Sequence, residues 1–306
     1  MNDLLLIVAG LGVGVVVGLT GMGGGALMTP MLVLFFGVPP LAAVSSDLMA
    51  SLIMKPVGGF VHLRQGTVDK RLVGWLCVGS VPCAFGGVLV ARSFGDGEQM
   101  QHVIQLALGV ALLLAVAGLA AKAFVGVREE GRGNAAPAGP VRVRPVPTLV
   151  VGAIGGLIVG MTSVGSGSLI IVALLALYPM LSARDLVGTD LVQAVPLVAA
   201  ATLAHLAFGD FRLSLTVFLL IGALPGVYLG AKLSSRAPGA VVRRALGLVL
   251  LASGLKMLGV GNVALLVAVA GGLIVCIPGW LLLRPVIAAR LAGRTAAATA
   301  SDRRTQ

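Results

Sequence analysis

Charge is scarce in this 306-residue chain: Asp, Glu, Lys and Arg together make up 11% of it, against 58% hydrophobic residues and a mean hydropathy of +1.06. So little polar surface cannot cover a soluble fold. Soluble globular classes are therefore excluded, and an all-α polytopic membrane protein is expected. Cysteine is scarce as well. Cys77, Cys83 and Cys276 each fall inside an apolar run, with no CxxC and no His or Asp spaced as a ligand set. They read as small core residues, so neither a disulfide nor a metal site is expected, and no cofactor is called for. The amino terminus, Met1-Asn2-Asp3, lacks the basic stretch that opens a cleaved secretory signal, so the first apolar run is expected to stay in the mature protein.

The charge that is present leans basic, 22 Lys and Arg against 11 Asp and Glu, a net +11. In a soluble chain this balance would suggest nucleic acid. Here the basic residues lie between apolar segments, where they orient the chain in a lipid bilayer, and no nucleic-acid partner is expected. The apolar runs are 4–20, 24–36, 41–61, 72–91 and 102–124, then 147–163, 167–180, 187–208, 213–232, 242–258 and 262–284. They predict eight to eleven membrane segments. Several reach the roughly 20 residues a bilayer-spanning helix needs, whereas the runs flanking Gly21–Gly25 and Gly165–Gly167 are shorter and read as half-helices. The organisation expected is a first transmembrane repeat at 1–124, a cytoplasmic linker at 125–146, a second repeat at 147–260, an additional helix at 261–284 and a basic cytoplasmic tail at 285–306.

The two repeats are visible residue by residue. Gly18, Thr20, Gly23, Gly25 and Leu27 return as Gly160, Thr162, Gly165, Gly167 and Leu169, an offset of 142. With one residue inserted, Val44, Asp47, Leu48, His62, Gly66, Gly79, Pro82 and Gly87 return as Val187, Asp190, Leu191, His205, Gly209, Gly222, Pro225 and Gly230. Lys and Arg collect in the linker, in the loop from Lys232 to Arg244 and in the tail, which marks these as cytoplasmic. Five segments precede the linker, so the amino terminus is expected outside and the carboxyl terminus in the cytoplasm. Corresponding loops then carry different charge on opposite sides: Arg64 to Arg71 is basic where its counterpart at Asp210 and Arg212 is neutral. Two inverted-topology repeats with glycine-broken helices follow, the plan of secondary transporters that bind solute where the repeats meet.

Two kinds of residue are candidates for the chemistry. Gly18-Leu-Thr-Gly-Met-Gly-Gly-Gly25 and Gly160-Met-Thr-Ser-Val-Gly-Ser-Gly-Ser168 are where backbone can leave the helical path and turn its amides to a ligand. In hydrocarbon such breaks persist only against protein or a cavity, and the half-helix that follows points its positive end there, which favours an anion. The binding candidates are thus Thr20, Gly21, Gly23, Gly24 and Gly25, with Thr162, Ser163, Gly165, Ser166, Gly167 and Ser168. Close helix packing is the alternative use of these glycines. Ionisable residues inside apolar runs are the second kind, since each costs at least ~2.5 kcal/mol near the bilayer centre. Asp47 and Asp190 read either as proton or ion couplers or as caps of their own helix starts. Lys55, whose counterpart in the second repeat is Val198, reads as the positive charge for an anion or as a snorkelling side chain. His62 and His205, near helix ends, titrate in the right range for coupling, with an interfacial or hydrogen-bonded role as the alternative.

On Gly18 to Gly25 followed by Pro30, Ser45-Ser-Asp47-Leu48, Lys55, His62-Leu-Arg-Gln-Gly66-Thr-Val-Asp69 and Val187-Gly-Thr-Asp190-Leu191, the chain resembles the TauE/SafE family of sulfite exporters, also grouped with four-toluene-sulfonate uptake permeases. The likeness spans roughly residues 4–260. Ser45-Ser46-Asp47 stands where many members read Gly-Thr-Ser or Gly-Thr-Asp. The resemblance implies transport of small sulfur-containing anions across the bacterial cytoplasmic membrane; whether the chain forms a homo-oligomer is left open. Two other classes are weaker. A non-transporting membrane assembly protein would account for the helices but not for the paired breaks. An intramembrane serine hydrolase built on Ser166 and His205 would want Gly-x-Ser-Gly, and repeat 1 has Gly24 in place of Ser166. No enzyme is expected.

Overall fold

The computed structural model describes residues 3–20, 24–93, 97–130, 143–165, 167, 169–178, 181, 183–208, 211–234 and 239–272. Ten helices form its first compact unit, Met1–Val260: α1 (Asp3–Thr20), α2 (Gly25–Phe36), α3 (Pro40–Arg64), α4 (Lys70–Ser93), α5 (Glu98–Glu130), α6 (Pro145–Thr162), α7 (Leu169–Leu177), α8 (Ala183–Phe208), α9 (Leu213–Ser234) and α10 (Gly239–Met257). The second unit, Gly261–Gln306, contributes α11 (Asn262–Gly272). No strand occurs among the described residues. The expected chain stretches at 131–142, 273–284 and 285–306 lie outside the described residues. α5 runs on to Glu130, past the end of its apolar run and into the stretch read as linker.

The fold is that of a polytopic helical membrane protein. Lys70–Ser93, Glu98–Ala120, Pro145–Thr162, Asp185–Phe208 and Leu213–Gly230 are each long and apolar enough to cross a bilayer. Their outer faces are apolar too: Val78, Val110, Ile154, Leu203 and Ile221 are exposed, a surface that water would penalise and lipid accepts. α2 and α7 are short. At ~1.5 Å per residue they reach about 18 Å and 13 Å, less than the hydrocarbon thickness, as expected of half-helices.

Glycine decides how the helices pair. α1 lies on α9 and α4 on α6, and both contacts are backbone to backbone. A Cβ placed on Gly10 would lie 2.7 Å from Leu219 O, and one on Gly152 2.5 Å from Leu76 O. Gly222, Gly226 and Gly230 of α9 abut Ile7, Leu11 and Val15 of α1; Gly156 and Gly160 of α6 abut Ser80 and Ala84 of α4. Neighbours advance together along each pair, so both pairs are parallel. In the numbering of the repeat, α1 on α9 is the same contact as α6 on α4. Small residues are what permit this approach in lipid, where dispersion between close backbones replaces the hydrophobic drive.

Two further pairs join a helix to its own counterpart, and α4 also packs on α8. On α3 and α8, Ser45 meets His205 at one end while Gly59 meets Leu191 and Val192 at the other, so the two run antiparallel. α5 and α10 are antiparallel too: Gly109 packs on Gly254 and Leu258, and Leu119 on Gly247. Pro30, Pro56, Pro82, Pro196 and Pro225 all sit inside helices that continue through them.

Candidate functional site

The second glycine stretch breaks where the sequence places it. α6 ends at Thr162, Ser163 takes a left-handed conformation (φ 57°), and Gly165 and Gly167 follow at φ 125° and 102° before α7 begins. Ser163 N–H closes the helix on Val159 O at 2.7 Å. A serine in that conformation costs roughly 1–2 kcal/mol. This turn packs directly on the start of α2: a Cβ on Gly25 would run into Ser163 O and lie 3.0 Å from Ser163 Oγ. Only glycine allows the two broken ends to touch. Gly24 precedes α2 without a side-chain cap, so the first amides of α2 carry the usual unfilled donors and positive end.

Asp47 lies against this junction. It is fully buried, its Oδ2 accepts from Thr29 Oγ1 at 2.8 Å, and its Oδ1 lies 3.7 Å from the position of a Cβ on Gly24. Ser163 neighbours the same carboxylate without reaching hydrogen-bond geometry, and among the described residues neither Asp47 Oδ1 nor Ser163 Oγ has a partner. Asp47 and Asp190 both stand about two turns inside their helices, so the alternative that each caps its own helix start is corrected. What Asp47 faces is the start of another helix, α2.

Lys55 is 6% exposed and interacts electrostatically with Asp190 and Asp47. It is two helical turns beyond Asp47, with Ser51 midway, so Asp47, Ser51 and Lys55 form one buried stripe on α3. The Ser51 hydroxyl has no partner among the described residues. On α8, Asp190 is 1% exposed, and Gln193 one turn on donates Nε2–H to Ser80 Oγ on α4 at 2.8 Å.

One histidine joins helices and the other closes the end of its own. His205 Nε2 donates to Gly160 O at 2.8 Å and its Nδ1 lies 2.8 Å from Ser45 Oγ, so one ring joins α8, α6 and α3. His62 Nδ1 lies 2.9 Å from Thr67 Oγ1. The repeat explains the difference: Gly188 occupies the place of Ser45, and a Cβ there would lie 3.0 Å from His62 Nδ1. Asp69 Oδ1 accepts from Arg71 N and Leu72 N to start α4, while its own N–H donates to Thr189 Oγ1 at 3.1 Å. The His62–Asp69 and Val187–Leu191 motifs are therefore in contact.

Gly24, Gly25, Asp47 and Ser163 thus come together, while Lys55 lies two turns further along α3, in the field of Asp190 and Asp47. Thr162 is at the same turn, but its hydroxyl donates to its own helix at Ile158 O, 2.6 Å away. Gly165 and Gly167 shape the turn. Gly21, Gly23, Ser166 and Ser168 lie outside the described residues, as does the side chain of Thr20. Sequence reasoning passed over Thr29, Ser45, Ser51 and Gln193. The spacing of Ser51 between Asp47 and Lys55, and of Gln193 one turn after Asp190, is the signal that would have found the last two. Apart from this buried cluster, a groove of about 920 Å³ opens between Pro39 and the first turns of α5, lined by Glu98, Gln101, His102 and Gln105.

A helical bundle in lipid, with broken helices meeting a buried stripe of acid, hydroxyl and amine, is the build of a membrane transporter. The chain belongs to the family described as sulfite exporter TauE/SafE, whose sequence profile matches residues 6–257. It is 37% identical over 254 residues to the probable membrane transporter protein YjnA of Bacillus subtilis (strain 168), covering 83% of this chain and 98% of that one. The probable membrane transporter proteins YdhB and YunE of the same organism are 26% identical over 249 residues and 22% over 268; the alignments cover 80% and 84% of this chain and 96% and 98% of theirs. No solved structure matches the chain.

Proposed function

We propose that the protein carries small sulfur-containing anions, sulfite, sulfonates or their relatives, across the bacterial cytoplasmic membrane by alternating access. The observation that carries this reading is the junction of Gly25 with Ser163. There the positive end of a half-helix and the buried Ser163 hydroxyl meet beside the Asp47 carboxylate inside a lipid-facing bundle, with Lys55 two turns further along α3. The family name agrees with an oxyanion as solute.

Two inverted halves, 1–124 and 147–260, are the moving parts in this account. Antiparallel pairing of α3 with α8 and of α5 with α10, each helix with its own repeat counterpart, supports the inversion. So does the recurrence of the α1–α9 contact as α6–α4. The amino terminus lies outside and the basic loops in the cytoplasm. Gly24, Gly25, Ser163 and Lys55 hold the anion, and Thr20, Gly21, Gly23, Thr162, Gly165, Ser166, Gly167 and Ser168 shape the two breaks. In an inside-negative cell each negative charge leaving gains ~2.3 kcal/mol per 100 mV, so export runs without a coupled ion. Import needs one, and Asp47 and Asp190 are our candidates to carry its proton, with His205 as a structural joint between α8, α6 and α3. The test is flux of labelled sulfite and methanesulfonate into liposomes holding the purified protein. Uptake above that of empty liposomes is expected; equality for both anions refutes the proposal.

A further inference from the structure

We infer that the two gates of the carrier are unequal: hydrogen bonds latch the cytoplasmic seam, where α8 lies on α4, while its repeat counterpart, the outer seam of α3 on α9, is the one that parts in the resting protein. The inference rests on the alternating-access reading and the orientation given above, and adds which side the empty site faces. In an inverted-repeat carrier the two seams are interchangeable only so far as their residues match. Here they do not match.

Two bonds tie α8 to α4. Thr189 Oγ1 accepts from Asp69 N–H at 3.1 Å, at the start of α4, and Gln193, one turn on along α8, donates Nε2–H to Ser80 Oγ at 2.8 Å. The counterparts of Gln193 and Ser80 are Ala50 and Ala223, which can form no such bond. Both are fully buried, in an apolar cluster with Leu215 and Leu219. The counterpart of Thr189 is Ser46, whose hydroxyl is buried and has no partner among the described residues. A third difference is steric. Gly188 lets the turn between α3 and α4 come so near that a Cβ would lie 2.7 Å from Thr67 O, but Ser45, at the matching place on α3, already carries a Cβ. The turn before α9 therefore cannot approach α3 as closely. In keeping with this, α4 packs along α8 while α3 meets α9 sparsely. A buried hydrogen bond shifts an equilibrium by about fivefold, so two bonds on one side only bias a pair of otherwise equal states by about 25-fold.

The experiment measures thiol labelling by a membrane-impermeant maleimide in full-length protein carrying Cys77→Ala, Cys83→Ala and Cys276→Ala. Ala43 and Leu186 are the probe positions: they match in the repeat, both are fully buried, and they stand two turns before Ala50 and Gln193 on the same helix faces. Without solute, Ala43→Cys in intact cells is expected to label about tenfold or more faster than Leu186→Cys in inverted vesicles. Gln193→Ala and Ser80→Ala break one bond from its two ends. Each is expected to speed labelling of Leu186→Cys about fivefold, the pair together no more than either alone, with Ala43→Cys little changed because only the minor state gains much in proportion. Should one of the two variants fail to fold, the other reads the same bond. Labelling of Leu186→Cys as fast as that of Ala43→Cys, or a Leu186→Cys rate that neither variant raises, overturns the unequal gates alone where sulfite or methanesulfonate flux persists in the same protein. Absence of flux for both anions overturns the transport reading and the inference with it.

Discussion

Replacing Gly10 by alanine tests the packing on which the bundle rests, because Gly12 on the same helix is its control. A methyl on Gly10 would sit 2.7 Å from Leu219 O and 3.4 Å from Ala223 N, so α1 and α9 must separate or the methyl must strain. A methyl on Gly12 meets nothing within 4 Å. Overpacking of this kind costs about 1–3 kcal/mol. Alanine recovers roughly 0.5–1 kcal/mol over glycine in a helix interior. Gly10→Ala is therefore expected to destabilise by up to about 2.5 kcal/mol net, and Gly12→Ala to be neutral or to stabilise by up to about 1 kcal/mol. At about 2–4 °C per kcal/mol the two variants part by several degrees in Tm, measured by thermal unfolding of detergent-purified protein. Gly152→Ala, the repeat equivalent of Gly10→Ala, should match it. Equal Tm for Gly10→Ala and Gly12→Ala would refute the close α1–α9 contact.

Other substitutions test the site. Lys55→Met should leave expression and Tm intact while cutting sulfite flux at least tenfold; full flux would remove Lys55 from the site. If proton coupling runs through Asp47 and Asp190, then Asp47→Asn and Asp190→Asn each abolish accumulation driven by a pH gradient while exchange persists, and unchanged gradient dependence in both would exclude it. Ser163→Gly relieves the left-handed serine and should stabilise by up to about 1 kcal/mol, yet weaken anion binding because the hydroxyl is gone. A topology reporter fused near Gly126 should report the cytoplasm and one near Gly97 the outside, and the reverse pattern would invert the orientation.

Helices were legible because their signals are local. The apolar runs anticipate α1 to α10 within a few residues, and the glycine spacing marks the break at Ser163 to Gly167. Burial of Asp47, Asp190 and Lys55 followed from their place inside apolar runs. What the runs could not carry was which face meets which. That Asp47 serves the start of α2 rather than its own helix depends on Thr29 and Gly24, 18 and 23 residues away in sequence. The role of His205 depends on Ser45, 160 residues away, and its repeat partner His62 differs only because glycine replaces serine at 188. Ser51 was passed over because a lone serine in a membrane helix carries no signal until the acid and the amine on either side of it are seen to share its face. The helix pairing by glycine was readable as a tendency, but the parallel sense of α1 with α9 emerges only from the register of Gly222, Gly226 and Gly230 on Ile7, Leu11 and Val15.

The central claim is that an oxyanion sits between the start of α2, the Ser163 turn and the α3 stripe. Anomalous X-ray scattering from crystals grown with selenite, the selenium analogue of sulfite, locates such an anion directly. A selenium peak within hydrogen-bond reach of the first amides of α2 and Ser163 Oγ, lost in Lys55→Met, is the predicted result. Selenium found only elsewhere, in the open groove beside Pro39 and His102 or on the arginine-rich loops, in protein that transports selenite would contradict it.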